Sequence, residues 1–110
     1  MVFVRYQQGQ TLFRNRWGIH EPALGSSHLK PAQLDLVLMP LVAFDLEGRR
    51  LGMGKGFYDR AFAFRRNNAD KPVLLGLAHE QQRISGSLPV SDWDVDLDMV
   101  VTPSRVYCFS

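Results

Sequence analysis

The sequence predicts an α/β fold: a mainly parallel sheet with flanking helices, of the three-layer type. Three observations predict it. Strand-length apolar runs lie at Leu36–Met39, Val73–Ala78 and Met99–Thr102. A glycine-rich loop, Leu51–Gly56, stands between the first two runs. Behind that loop, Phe57, Tyr58, Ala61, Phe62 and Phe64 recur at helical spacing. Strand, glycine loop, helix, strand is the order of a βαβ unit, whose strands run parallel.

Met1–Tyr6 is a short apolar, strand-like run with no element before it to pack on, a first hint of missing sequence. Gln7–Lys30 is polar and carries Gly9, Gly18, Pro22 and Gly25, so it is expected to be loop. From Leu34 to Phe44 the chain is nearly continuously apolar, as in a strand covered on both faces. Pro40 cannot donate to a ladder, which confines the strand proper to Leu36–Met39. The periodic residues after the glycine loop predict an amphipathic helix of about a dozen residues, ending near Asn67-Asn68. Val73–Ala78, Met99–Thr102 and Val106–Phe109 are the remaining strands, the third of these following Pro103.

At 110 residues the chain is long enough for one core and too short for two. Its 45% hydrophobic and 22% charged content excludes a disordered segment. No apolar run approaches the ~20 residues of a membrane helix, and no secretory signal pattern opens the chain. The single cysteine, Cys108, forbids an intrachain disulfide; it is expected as a small apolar core residue in a cytoplasmic protein.

The charges are segregated. Residues 49–66 hold Arg49, Arg50, Lys55, Arg60, Arg65 and Arg66 against one acid, Asp59. Residues 84–104 hold Asp92, Asp94, Asp96 and Asp98 and no Lys or Arg. Two solvated faces would look like this, and so would a polyanion site with a divalent cation, basic groups on phosphate and carboxylates on metal. A net charge of +2 without a helix-turn-helix, zinc-finger or RNP-type pattern argues against nucleic acid. Asp92-x-Asp94-x-Asp96 has the spacing of a calcium loop but lacks its glycine and glutamate, with Leu97 and Pro103 there instead. His20, His28 and His79 form no metal motif.

Gly52, Gly54 and Gly56 leave the backbone unhindered, so its amide groups can approach a phosphate, and Lys55 adds a full charge. Walker A spacing fails because Gly56 follows Lys55 and Arg49 replaces the first glycine; the dinucleotide pattern fails at Phe57. Taken alone, the loop also fits a tight strand-to-helix turn.

The longer string is more specific. Leu51-Gly52-Met53-Gly54-Lys55-Gly56-Phe57-Tyr58-Asp59 resembles the 5-formyltetrahydrofolate cyclo-ligase (5,10-methenyltetrahydrofolate synthetase) family, bacterial type. So do Asn15-Arg16-Trp17-Gly18-Ile19, Met39-Pro40 through Phe44-Asp45, Gly76-Leu77-Ala78, and Asp94 through Asp98 to Thr102-Pro103. The resemblance implies ATP- and Mg²⁺-dependent conversion of 5-formyltetrahydrofolate to 5,10-methenyltetrahydrofolate, with release of ADP and phosphate. It implies that Arg50, Leu51, Gly52, Met53, Gly54, Lys55, Gly56, Phe57 and Tyr58 bind ATP, and that Met53, Gly54, Lys55, Gly56 and Phe57 also border the folate. Lys55 would be catalytic, meeting the phosphates and the developing charge, and Asp59 and Asp98 would hold magnesium. The alternatives are that Asp59 complements a helix N-terminus and that Asp98 is an ordinary strand-edge acid. Met53 stands where many relatives carry arginine.

Relatives begin with helices that help hold ATP and shape the folate pocket, and none precedes Met1 here. The chain is therefore expected to be one C-terminal portion, residues 1–110, of a cyclo-ligase domain, N-terminally truncated and impaired in turnover. The other reading is a non-catalytic remnant that binds nucleotide or phosphate. Apolar surface left where the helices packed is expected to favour self-association.

Overall fold

The computed structural model describes residues 3–22, 28–52, 56–67, 70–91 and 93–109. The sequence expectations for Met53, Gly54, Lys55 and Asp92 lie outside these residues.

The centre is a four-stranded sheet built from β5 (Leu36–Met39), β8 (Val73–Leu77), β9 (Met99–Val101) and β10 (Val106–Cys108), in the order β10-β9-β8-β5. β5 pairs parallel with β8 from Leu36↔Val73 to Met39↔Gly76, and β8 pairs parallel with β9. β10 returns antiparallel on β9. The sheet is thus mainly parallel, as expected, with one antiparallel edge. Gly76 sits where any side chain would meet Leu41: a Cβ there would lie 2.6 Å from the Leu41 Cδ2.

Three antiparallel pairs surround the sheet. β1 (Phe3–Val4) pairs with β4 (His28–Leu29), and β2 (Leu12–Arg14) with β3 (His20–Pro22). The expected Gln7–Lys30 loop therefore holds a hairpin. Its turn is closed by Asn15, whose side-chain oxygen accepts the Trp17 and Ile19 amides at 2.9 and 3.0 Å. β6 (Ala43–Phe44) pairs with β7 (Arg50–Leu51) across the turn at 45–49.

Among the described residues, one face of the sheet is buried and the other is partly open. Val37, Met39, Leu74 and Val100 are buried together with Phe44, Phe62, Val95 and Leu97. Phe62 packs against Phe3 and Phe64, with ring centroids at 5.6 and 6.1 Å. On the opposite face Leu38 is 55% exposed, with Leu36, Leu77 and Val106 similarly open. The expectation of burial on both faces is thus corrected, and three layers do not form among the described residues. Cys108 is exposed rather than a core residue.

The helix is shorter than periodicity predicts. α1 spans Phe57–Ala61 and gives way to a 3₁₀ segment at Ala63–Asn67. Gly56 opens it in a left-handed conformation, φ 67°, which a glycine adopts freely. The change of winding at Phe62 drives that ring wholly into the core and aims Arg65 at the sheet. A helix of one and a half turns carries little macrodipole, so its N-terminus adds little to anion binding.

The turn after β8 is tied to the β9–β10 edge. Glu80 accepts the Thr102 hydroxyl and, at 2.6 Å, the Tyr107 hydroxyl. These two hydrogen bonds hold its carboxyl below the ordinary glutamate value.

Candidate functional site

A cleft of about 400 Å³ opens beside Gly52 and Gly56. The β6–β7 hairpin sets Arg50, Leu51 and Gly52 along one wall, and the start of α1 sets Gly56, Phe57, Tyr58 and Asp59 along a second. Pro40 closes one end, where it stops β5, and the third wall is Pro89, Trp93 and Asp94. Its size falls within the range of small-molecule sites, and its lining combines aromatic faces with a few charged groups, as such sites do.

Arg50 is the central cation. Its side chain is only 8% exposed. Nη1 donates to the Pro40 carbonyl at 3.3 Å, and Nη2 reaches the Asp59 Oδ1 at 3.4 Å. The guanidinium carbon lies 5.8 Å from the centre of the Tyr58 ring. Nε is buried and has no partner among the described residues. A buried donor without an acceptor costs about 1–3 kcal/mol, so the cleft holds an unmet demand for an acceptor beside a positive charge.

Asp59 joins the walls. Its Oδ1 accepts the Val95 amide at 3.0 Å as well as the Arg50 contact. Asp94 shapes the third wall: its Oδ2 accepts the Ser91 amide at 2.8 Å, and its own amide returns to the Ser91 carbonyl at 3.0 Å. Phe57 is 46% exposed, with the Arg60 guanidinium over its ring at 5.3 Å.

Six of the nine residues expected to bind ATP, together with the expected metal ligand Asp59, line this one cleft; the other three, Met53, Gly54 and Lys55, lie outside the described residues. Asp98 lines a separate cleft of about 410 Å³ with Arg65, Arg66 and Asp96. Arg65 Nη2 reaches both of its oxygens, at 2.7 and 2.8 Å, and the Leu74 amide donates to Oδ2 at 2.8 Å. The Asp98 backbone also exchanges hydrogen bonds with the Leu74 carbonyl and the Phe109 amide. Asp98 thus fastens β8, the 3₁₀ segment and the end of the chain. The expected Asp59–Asp98 pair is not brought into a common cleft, and no group of three His, Cys, Asp or Glu among the described residues is placed to hold a metal ion.

Sequence reasoning missed Pro40, Pro89 and Trp93 as cleft walls. The available signal was Trp93 itself, a large aromatic set among polar residues where neither strand nor helix periodicity calls for one.

In the second cleft, burial pushes the Asp96 carboxyl above its ordinary value; Arg49 opposes the shift, and Asp45, Asp94 and Glu47 add to it. A raised folded-state value means that the folded chain holds this proton more tightly than the unfolded one. Stability from this group therefore falls as pH rises from the ordinary aspartate value through the raised one. Asp96→Asn is expected to raise the melting temperature near pH 7, with the gain vanishing near pH 3, where both forms are neutral. Thermal unfolding across that range checks it, and an equal gain at both ends would refute it.

Comparison with known proteins places the chain among relatives. A family model described as "5-formyltetrahydrofolate cyclo-ligase family" matches residues 1–103. The 5-formyltetrahydrofolate cyclo-ligase of Escherichia coli (strain K12) is 44% identical over 108 residues, 97% of this chain and 58% of that protein. A probable 5-formyltetrahydrofolate cyclo-ligase of Caenorhabditis elegans is 38% identical over 109 residues, 91% of this chain and 52% of that one. The solved structure of a 5,10-methenyltetrahydrofolate synthetase from Mycoplasma pneumoniae superposes with a TM-score of 0.57 at 34% identity, covering 70% of this chain and 44% of that one. The chain spans about half the length of the curated relatives it matches. With a family match over residues 1–103 and the motif residues gathered around one cleft, the chain belongs to the 5-formyltetrahydrofolate cyclo-ligase family.

Proposed function

We propose that this chain forms the nucleotide-binding part of an enzyme that uses ATP to convert 5-formyltetrahydrofolate to 5,10-methenyltetrahydrofolate, releasing ADP and phosphate. The observation that carries the proposal is the cleft, where Arg50, Gly52, Gly56 and Asp59 converge around a buried arginine with an unmet donor. In the reaction the formyl oxygen takes the γ-phosphoryl group, N10 attacks the activated carbon, and phosphate leaves. Such chemistry rests on positioning and on neutralising the phosphate oxygens. Arg50 supplies a fixed charge held by Pro40 and Asp59, so little reorganisation is needed when an anion arrives. Lys55, from the loop between Gly52 and Gly56, is assigned the developing charge on the transferred group. Magnesium, carried with the nucleotide, would neutralise phosphate charge; Asp59 is the carboxylate of this cleft that would face it. Gly56 and Phe57 are assigned to the border with the folate.

Calorimetric titration with Mg·ATP tests the reading. Lys55→Ala and Asp59→Asn are each expected to weaken binding about tenfold or more, since each removes a charged contact of at least about 1.4 kcal/mol. Equal affinities in wild type and both variants would defeat it. The other reading is a nucleotide-binding remnant without turnover. Appearance of methenyltetrahydrofolate absorbance from 5-formyltetrahydrofolate and ATP separates the two.

A further inference from the structure

The cleft presents three aromatic rings, and two already have cationic partners. Arg60 lies over Phe57 at 5.3 Å, and Arg50 lies 5.8 Å from the Tyr58 ring centre. Trp93 differs: it is 64% exposed, lines the cleft beside Pro89 and Asp94, and has no ring or cation partner among the described residues. An indole this open to water offers a broad planar apolar surface. Trp93 stands outside the regular strands and helices, and its position is set by its neighbours. Asp94 is pinned to Ser91 by two hydrogen bonds, and the Val95 amide to Asp59. The same carboxylate that meets Arg50 thus fixes the segment that carries the indole.

We infer that Trp93 is the stacking platform for the base of the nucleotide, a specificity-determining residue opposite the glycine loop. This rests on the reading of the loop as a triphosphate site. A nucleotide's base is tied through one ribose to its phosphates, so a triphosphate at Gly52–Gly56 confines the base to the same cleft. The indole is the one aromatic face there, among the described residues, that no guanidinium already occupies. Base–aromatic stacking is tolerant of geometry and needs only two planar π-faces.

The test separates base from phosphate. A Trp17→Phe background leaves Trp93 as the one tryptophan, because the chain has two. Mg·ATP is expected to quench Trp93 emission, and magnesium tripolyphosphate to bind without quenching it. By calorimetry, Trp93→Ala is expected to weaken ATP binding about tenfold and leave tripolyphosphate binding unchanged, with Trp93→Phe restoring ATP affinity to within about threefold. Equal weakening of both ligands, or weakening of 5-formyltetrahydrofolate with ATP unaffected, would overturn the inference while leaving the triphosphate site standing. If wild type binds neither ATP nor tripolyphosphate, the triphosphate reading fails and the inference falls with it.

Discussion

Asp45→Ala is expected to lower stability by about 3–5 kcal/mol, one of the largest losses any single substitution in this chain should produce. Asp45 is fully buried, and its carboxylate is the sole side-chain acceptor for three backbone amides: Glu47 at 2.9 Å and Arg49 at 3.0 Å through Oδ1, and Leu88 at 2.8 Å through Oδ2. The first two close the β6–β7 turn. The third ties that turn to a segment 43 residues further along. Alanine leaves those donors without their acceptor. At about 4 °C per kcal/mol for a domain of this size, the melting temperature should drop by roughly 12–20 °C. Asp45→Asn keeps one acceptor oxygen and turns the other into a donor facing an amide, so its loss should be large but smaller than alanine's. Thermal and urea unfolding of the three proteins check the order. An alanine variant within about 1 kcal/mol of wild type would mean that the turn finds its acceptors elsewhere.

How much of this was legible in the sequence depends on the range of each interaction. β5 falls at Leu36–Met39 because Pro40 ends a ladder by local chemistry, and α1 begins at Phe57 because Gly56 can take the left-handed turn before it. The helix ends early because the spacing of Phe57, Tyr58, Ala61, Phe62 and Phe64 records which residues are apolar, not how tightly the backbone winds to bury them. The run Leu36–Met39 likewise records composition. Its alternate exposure, Leu36 and Leu38 out and Val37 and Met39 in, depends on what packs against each face. The hairpin within residues 7–30 consists of three-residue strands, too short for alternation to register, although Asn15 before Gly18 was a local turn signal. Least legible was the fate of Asp98. An acidic stretch shows that carboxylates are available, and only the fold shows that Arg65, 33 residues away, pairs with this one. Asp59, by contrast, lies two residues into α1, and it lines the cleft with Gly52 and Gly56.

The second large effect should come from Gly52, and it should appear in ligand binding rather than in stability. A Cβ at Gly52 would lie 2.6 Å from the Arg50 Nη1. The backbone there is not in the left-handed region, so alanine meets no conformational penalty. What must yield is the end of a flexible side chain: the Arg50 guanidinium has to leave its place between the Pro40 carbonyl and Asp59. Gly52→Ala is therefore expected to fold, with stability within about 1 kcal/mol of wild type, yet to bind Mg·ATP about tenfold more weakly, because the charge is no longer held in position. Arg50→Ala removes the charge itself and should cost at least as much affinity. The decisive measurement is the double variant. If Gly52→Ala acts only by moving Arg50, adding it to Arg50→Ala changes nothing further, and the cycle shows a coupling of about 1–1.5 kcal/mol. Additive losses would mean that the glycine serves the ligand directly, through close approach of its backbone, and that the arrangement of Arg50, Pro40 and Asp59 is not what organises the cleft.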